Sequence, residues 1–142
     1  MEKDISATVT GSMLFSGPNS LQGAVTVSAN ALAEEMGITA DDMRSISVSA
    51  IKVALNPEQA AMAESLLLQV VSSNHELTAL GTLSPLDGGN TYQLQVAEET
   101  DLLPFLNDEG ATWVLDINLS EDIMDDMQAE VEIILAINYL NK

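Results

Sequence analysis

Cysteine is absent from this 142-residue chain, and basic residues are scarce: Lys and Arg total 4 against 22 Asp and Glu, a formal net charge of -18. Without cysteine there is no disulfide frame, no thiolate nucleophile and no thiolate zinc site. The cations are Lys3, Arg44, Lys52 and Lys142, too few and too scattered to make the basic face that phosphate backbones or anionic membranes require. His75 is the one histidine, so the usual His- and Cys-based zinc sets have no companion ligand. Aromatics make up only 4%, and no apolar run approaches the roughly 18 residues of a helical membrane span. Neither GxxxxGK nor GxGxxG occurs, which removes support for a nucleotide site.

What remains is a chain in which 46% of residues are apolar and 18% are charged. That apolar share fills a core and argues against disorder. Its length suits one domain over residues 1–142. Met1-Glu2-Lys3-Asp4 is a polar start without signal-peptide character, which fits a cytoplasmic protein or a mature exported domain. The Ser, Thr and Asn content and the near absence of Lys lean toward export to the cell surface, periplasm or medium. Strong acidity also suits a saline setting, where screening relieves self-repulsion.

The dominant period is two. Ile5, Ala7, Val9, Gly11 and Met13 alternate with polar neighbours, as do Gly23, Val25 and Val27, so two strands are expected with a turn at Ser16–Ser20 between them. Asn30 is placed to cap a short helix that Gly37 ends, and Thr39-Ala40-Asp41-Asp42 resembles a capped turn. From Arg44 to Leu55 the pattern changes phase: Ile46, Val48 and Ala50 share one face, Ile51, Val53 and Leu55 the other. A phase change without a turn predicts a β-bulge or a strand passing between sheets. Residues 58–64 are helix-prone, Leu66–Val71 reads as a strand buried on both faces, and Leu77–Leu83 as a weaker strand. Tyr92–Val96, Trp113–Leu119 and Met127–Tyr139 complete the strands, with Thr100 capping a helical turn at Leu102–Leu106. The expectation is an all-β fold, a single antiparallel β-sandwich of about 7–8 strands with two or three short helical turns at its ends. Its core should draw on Val9, Val25, Ile46, Val48, Ile51, Val53, Leu66, Leu68, Leu94, Val96, Trp113, Leu115, Ile117, Val131, Ile133 and Leu135.

Candidate chemistry is thin. His75 sits between Asn74 and Glu76 and reads as an exposed turn residue; no Gly-x-Ser-x-Gly supports a triad built on it. Trp113, Tyr92, Tyr139 and Phe15 fall on strand rows and Phe105 on the helical turn, so core packing accounts for the aromatics and leaves no sugar platforms. The seven Met are read as gap fillers, with Met13 and Met127 on strand rows. Oxygen ligands are in surplus, which makes calcium the candidate ion, with Asp41, Asp42, Asp87, Asn90, Asp122, Asp125 and Asp126 as its ligands. None matches EF-hand spacing, and tight turns and helix N-termini account equally for these residues. Otherwise no cofactor is expected and no catalytic residue is assigned. The terminal strands, Ile5–Met13 and Met127–Tyr139, would offer pairing groups to another chain if they lay at sheet edges.

A further indication comes from layout. The strand Ser45–Leu55 leads to a second at Ser65–Val71, then a short strand and Pro/Gly loop from Leu77 to Gly89. The strand Tyr92–Val96 and the turn Asp101–Leu106 follow, and Thr112–Leu119 with Glu130–Tyr139 closes as a hairpin. From Arg44 onward this order resembles the exported lipoprotein-type domains of Bacteroidota cell envelopes. The resemblance implies a β-sandwich at the cell surface or in the periplasm and supplies no catalytic residues; the lipobox cysteine is not in this sequence. The leading expectation is a non-catalytic envelope or secreted module that contacts another protein or itself, through edge strands among other routes. Its alternatives are a calcium- or carbohydrate-binding module and a hydrolase using loop carboxylates such as Glu34/Glu35, Glu98/Glu99 or Glu121/Asp122.

Overall fold

The computed structural model describes residues 2–84, 91–97, 100–108, 110–124 and 126–139. The strands are β1 (Glu2–Gly11), β2 (Gly17–Ala24), β3 (Met43–Leu55), β4 (Ala63–Val71), β5 (Thr78–Leu83), β6 (Thr91–Val96), β7 (Thr112–Leu119) and β8 (Met127–Tyr139). Three short helices join them: α1 (Ala29–Met36), α2 (Pro57–Ala60) and α3 (Leu103–Asn107), with a 3-10 turn at Ala40–Asp42. All paired strands are antiparallel, as the alternating pattern predicts.

The fold is all-β and antiparallel with eight described strands, as expected, but the expected sandwich is closed into a barrel, in the order β1-β2-β7-β4-β5-β6-β3-β8. Two four-stranded halves are visible within it, β1-β8-β3-β6 and β2-β7-β4-β5, an order like that of a jelly roll. Long registers hold each half: β1 and β8 pair continuously from Glu2↔Ala136 to Gly11↔Met127. The two seams are short. Thr10↔Gln22 joins β1 to β2, while Gly81↔Val96 and Thr82↔Gln95 join β5 to β6.

Glycine makes both seams close. A Cβ on Gly23 would lie 2.2 Å from the Thr8 carbonyl oxygen, so β2 reaches β1 only because that atom is missing. At the other seam, a Cβ on Gly81 would lie 2.7 Å from Ile51 Cδ1 and 3.1 Å from the Gln95 carbonyl oxygen. Strand-pattern reasoning counts Gly23 as an alternation position and passes over Gly81 within Leu77–Leu83, and therefore misses closure.

The core fills the barrel. Of the expected core residues, all are buried except Val25 and Val96, which pack against it half-buried. The phase change in β3 is a bulge: its register to β8 shifts between Val48 and Ala50, which keeps Ile46 and Val48 inward and then Ile51, Val53 and Leu55. On β4 the inner row Leu66, Leu68 and Val70 is buried, whereas Leu67, Gln69 and Val71 are half-buried.

The terminal strands are not both edges. β8 lies between β1 and β3, so its groups are used on both sides; β1 is paired to β8 along its length and to β2 at Thr10. Boundaries also move: β2 begins at Gly17, inside the expected turn, because Gly17 to Ala24 zips onto β7 from Leu119 to Thr112. Ser28, not Asn30, caps α1, its Oγ accepting from Ala31 N at 3.1 Å, and Gly37 ends the helix with φ 74°. Before α3 the capping role falls to Asp101, whose Oδ1 accepts from Leu103 N and from Ile46 N; Thr100 instead donates to the Ala79 carbonyl.

Chain direction sorts the connections to two ends. α1, α3 and the β4–β5 turn gather where β3 begins, and α2 and the β1–β2 and β7–β8 connections gather where β3 ends.

Candidate functional site

At the second end the β1–β2 and β7–β8 connections are knitted together. Leu14 and Ile123 form an isolated antiparallel bridge, with Ile123 N donating to the Leu14 carbonyl at 3.1 Å, and both side chains are buried. Neighbours on an extended segment point the opposite way. Phe15 and Met124 therefore face solvent, with 63% and 92% of their surface exposed, and Met13, on the other side of Leu14, is 77% exposed. They are three of the four large apolar side chains left exposed among the described residues, Leu77 being the fourth. This corrects the expectation that Phe15 and Met13 pack in the core: β1 ends at Gly11, and Met13 takes a left-handed backbone, φ 55°, that breaks the inward phase.

The display is held rigidly. Asn19 Oδ1 accepts from Phe15 N at 3.1 Å, and Asn19 Nδ2 donates to the Phe15 and Gly17 carbonyls at 2.6 and 3.0 Å. Across the gap, Asp122 Oδ1 accepts from Ser16 N at 2.7 Å. Glu121, Asp122 and Asp126, all exposed, add negative charge beside the apolar group. A shallow cleft of about 530 Å³, lined by Thr10, Gly11, Ser12, Asp126, Met127 and Gln128, adjoins it. Sequence reasoning misses this site because Met13 and Phe15 continue the odd-numbered row of β1. The one local signal is the Ser16-Gly17-Pro18 stop that follows.

His75 belongs to a second cluster, at the opposite end. Asp108 Oδ2 accepts from Ser72 Oγ at 2.6 Å and lies 2.5 Å from His75 Nδ1, while Asp108 Oδ1 accepts from Asn74 Nδ2 at 3.2 Å. These bonds, Ser72's first, then those of His75 and Asn74, lower the Asp108 carboxyl from its ordinary 3.8 to about 2. With that carboxylate ionised, His75 Nδ1 carries the proton it shares, and the imidazole leans on Phe105 at 5.1 Å between ring centres. His75 is thus half-buried rather than a free turn residue.

The arrangement is a clasp between the β4–β5 turn and the C-terminal end of α3. It is not triad geometry. Ser72 donates to the carboxylate, and its distance to the imidazole, 3.4 Å, is to Nδ1, the nitrogen already facing Asp108. No sequence pattern points to Asp108, which lies far along the chain from His75.

The described acidic candidates fall in two places: Asp41 and Asp42 in the turn before β3, and Asp122 and Asp126 in the β7–β8 connection. Asp42 Oδ2 accepts from Thr39 N and Thr39 Oγ1, the expected capped turn beside Asp41. Asp122 braces Ser16 as above, and the Asp126 carbonyl accepts from Gln59 Nε2. Asp87, Asn90 and Asp125 lie outside the described residues, as do Glu98 and Glu99. Among the described residues no three His, Asp or Glu side chains gather at metal-binding distance. No helix of the described residues is long and apolar enough to cross a membrane.

No family model matches this chain, and no curated protein matches it. Among solved structures it is similar to a chain of the cyanophage Pam1 capsid asymmetric unit, at 11% identity and TM-score 0.45, covering 99% of this chain and 85% of that one. It is also similar to a low-affinity xylan-binding module of the gut symbiont Roseburia intestinalis (13%, TM-score 0.45, 97% and 96%). A third likeness is to the Yersinia pseudotuberculosis-derived mitogen (8%, TM-score 0.39, 99% and 89%). These are likenesses of β-architecture, and no site residue is carried through them.

Proposed function

We propose that this chain is a non-catalytic recognition module that binds another protein through the end bearing Met13, Phe15 and Met124. One observation carries the reading: large apolar side chains are held in water on a backbone that is itself pinned. Transfer of each such side chain from water is worth roughly 1.5–3 kcal/mol, and here that gain is left for a partner. The Asn19 clamp and the Leu14–Ile123 bridge also reduce the ordering cost of contact. The acidic surround of Glu121, Asp122 and Asp126 favours a partner with an apolar centre and a basic rim over a second copy of a chain of net charge -18. A non-catalytic role accords with a histidine and serine both committed to Asp108. An exported setting, with the partner in the envelope or outside the cell, goes with this proposal.

The test is the size of the native assembly. In extract of the source cells the wild-type chain should migrate well above its own 15.1 kDa. A Phe15→Ser/Met124→Ser variant should migrate as a monomer with an unchanged melting temperature. A wild-type monomer, or an assembly indifferent to both substitutions, would overturn the proposal.

A further inference from the structure

A different surface, independent of that end, has the chemistry to take an extended peptide. β1 is paired to β8 from Glu2 to Gly11, but on its other side the register with β2 is the single pair Thr10↔Gln22. Beyond Ala24 the chain follows β7, with Val25 N donating to the Ala111 carbonyl at 3.0 Å, and so diverges from β1. A groove of about 410 Å³ opens between them. Its walls are Ile5 and Ser6 on one side and Thr26 and Val27 on the other, with Leu32 and Trp113 beneath.

The main-chain groups that face this groove follow from strand geometry. The Thr8 carbonyl oxygen points at Gly23 of β2, away from β8. Along a strand, residues alternate in the side to which their N–H and C=O point. Ser6 and Asp4 therefore direct theirs the same way as Thr8, into the groove, and no described residue pairs with them there. Ile5 and Ala7 direct theirs to β8.

We propose that this groove is a β-augmentation site: an extended peptide of neutral or basic character adds to the open side of β1 between Lys3 and Thr8. Free strand N–H and C=O groups recognise peptide backbone, and alternate side chains of the guest would rest on Val27, Leu32 and Trp113. Charge sets the guest's character. The one cation of the groove, Lys3, is tied to Glu35 across it at 2.8 Å, which leaves Asp4 uncompensated in a chain of net charge -18. The Lys3–Glu35 pair is exposed on both partners, and such pairs hold weakly enough to yield to a guest.

Trp113 is the single tryptophan and lines the groove, so its fluorescence reports occupancy. The probe is an acetylated, amidated hexapeptide of alternating valine and lysine. Two controls are the same peptide N-methylated throughout and a valine–glutamate counterpart. The valine–lysine peptide should shift Trp113 emission saturably and slow hydrogen exchange at the Asp4 and Ser6 amides. Both controls should bind at least about tenfold more weakly, a difference of about 1.4 kcal/mol. Ser6→Pro removes the groove-facing N–H while sparing the β1–β8 bonds, and should abolish the response; Ser6→Ala should keep it. Equal melting temperatures for the two variants show that both fold. No saturable response, equal binding of the N-methylated peptide, or binding retained by Ser6→Pro would overturn the proposal. Protection of the same amides that rises with protein concentration alone would assign the groove to a second copy instead, and would equally overturn it.

Discussion

Gly23→Ala tests how the barrel closes. The added Cβ would stand 2.2 Å from the Thr8 carbonyl oxygen and 3.2 Å from Val9 Cγ1. Carbon and oxygen ordinarily approach no closer than about 3.3 Å, so the overlap exceeds an ångström. The offending atom is backbone, fixed by the β1–β8 ladder, and no rotamer change relieves it. Overpacking of this kind costs about 1–3 kcal/mol, and alanine's narrower unfolded ensemble returns only about 0.4–1 kcal/mol. A net loss of about 1.5 kcal/mol is expected, or roughly 6 °C in melting temperature for a domain of this size. Gly81→Ala is the comparison. Its nearest neighbour, at 2.7 Å, is a side-chain methyl, Ile51 Cδ1. Its nearest backbone atom, the Gln95 carbonyl oxygen, stands at 3.1 Å rather than 2.2 Å, so the loss should be smaller than that of Gly23→Ala. The assay is thermal unfolding followed by circular dichroism, with hydrogen exchange at the seam. A Gly23→Ala protein as stable as wild type would refute the close approach of β1 and β2.

Other outcomes follow from the same geometry. Met13→Ser/Phe15→Ser/Met124→Ser should melt within about 2 °C of wild type, since exposed positions contribute little. Leu14→Ala or Ile123→Ala, at the buried bridge behind them, should lose about 2–4 kcal/mol by urea titration. Acid should unfasten the Asp108 clasp. Its folded carboxyl lies near 2, below the ordinary 3.8, so the stability it lends is complete above about pH 4 and is lost as pH falls through 2. Asp108→Asn should be less stable than wild type at pH 6, with the gap closing by pH 2 in melts across that range. Melts in millimolar calcium and in chelator should coincide, because Asp42 and Asp122 are engaged with Thr39 and Ser16. A calcium-dependent rise would contradict this expectation and support the acidic-loop reading.

Much of the fold was legible because period-two alternation is a direct record of which face is buried. The β3 bulge is visible as a phase slip at Ala50, and the β8 row as the longest alternation in the chain. Closure was not, because it depends on what Gly23 and Gly81 lack, and a missing Cβ leaves no mark on an alternation pattern. The exposed apolar group was hidden by the same rule: Met13 and Phe15 keep the parity of β1 after the strand has ended, and only the left-handed turn at Met13 reverses their direction. The clasp was illegible for another reason. Ser72, Asn74 and His75 look like an ordinary turn, and Asp108 meets them only through the packing of α3.

The central claim, that protein contact runs through the end bearing Phe15, is tested most directly by photocrosslinking in the source cells. p-Benzoylphenylalanine at Phe15 should yield one discrete protein adduct, and the same group at exposed Gln93, on the outer face of β6, should yield none. No adduct at Phe15, or the same adduct from both positions, would contradict the account.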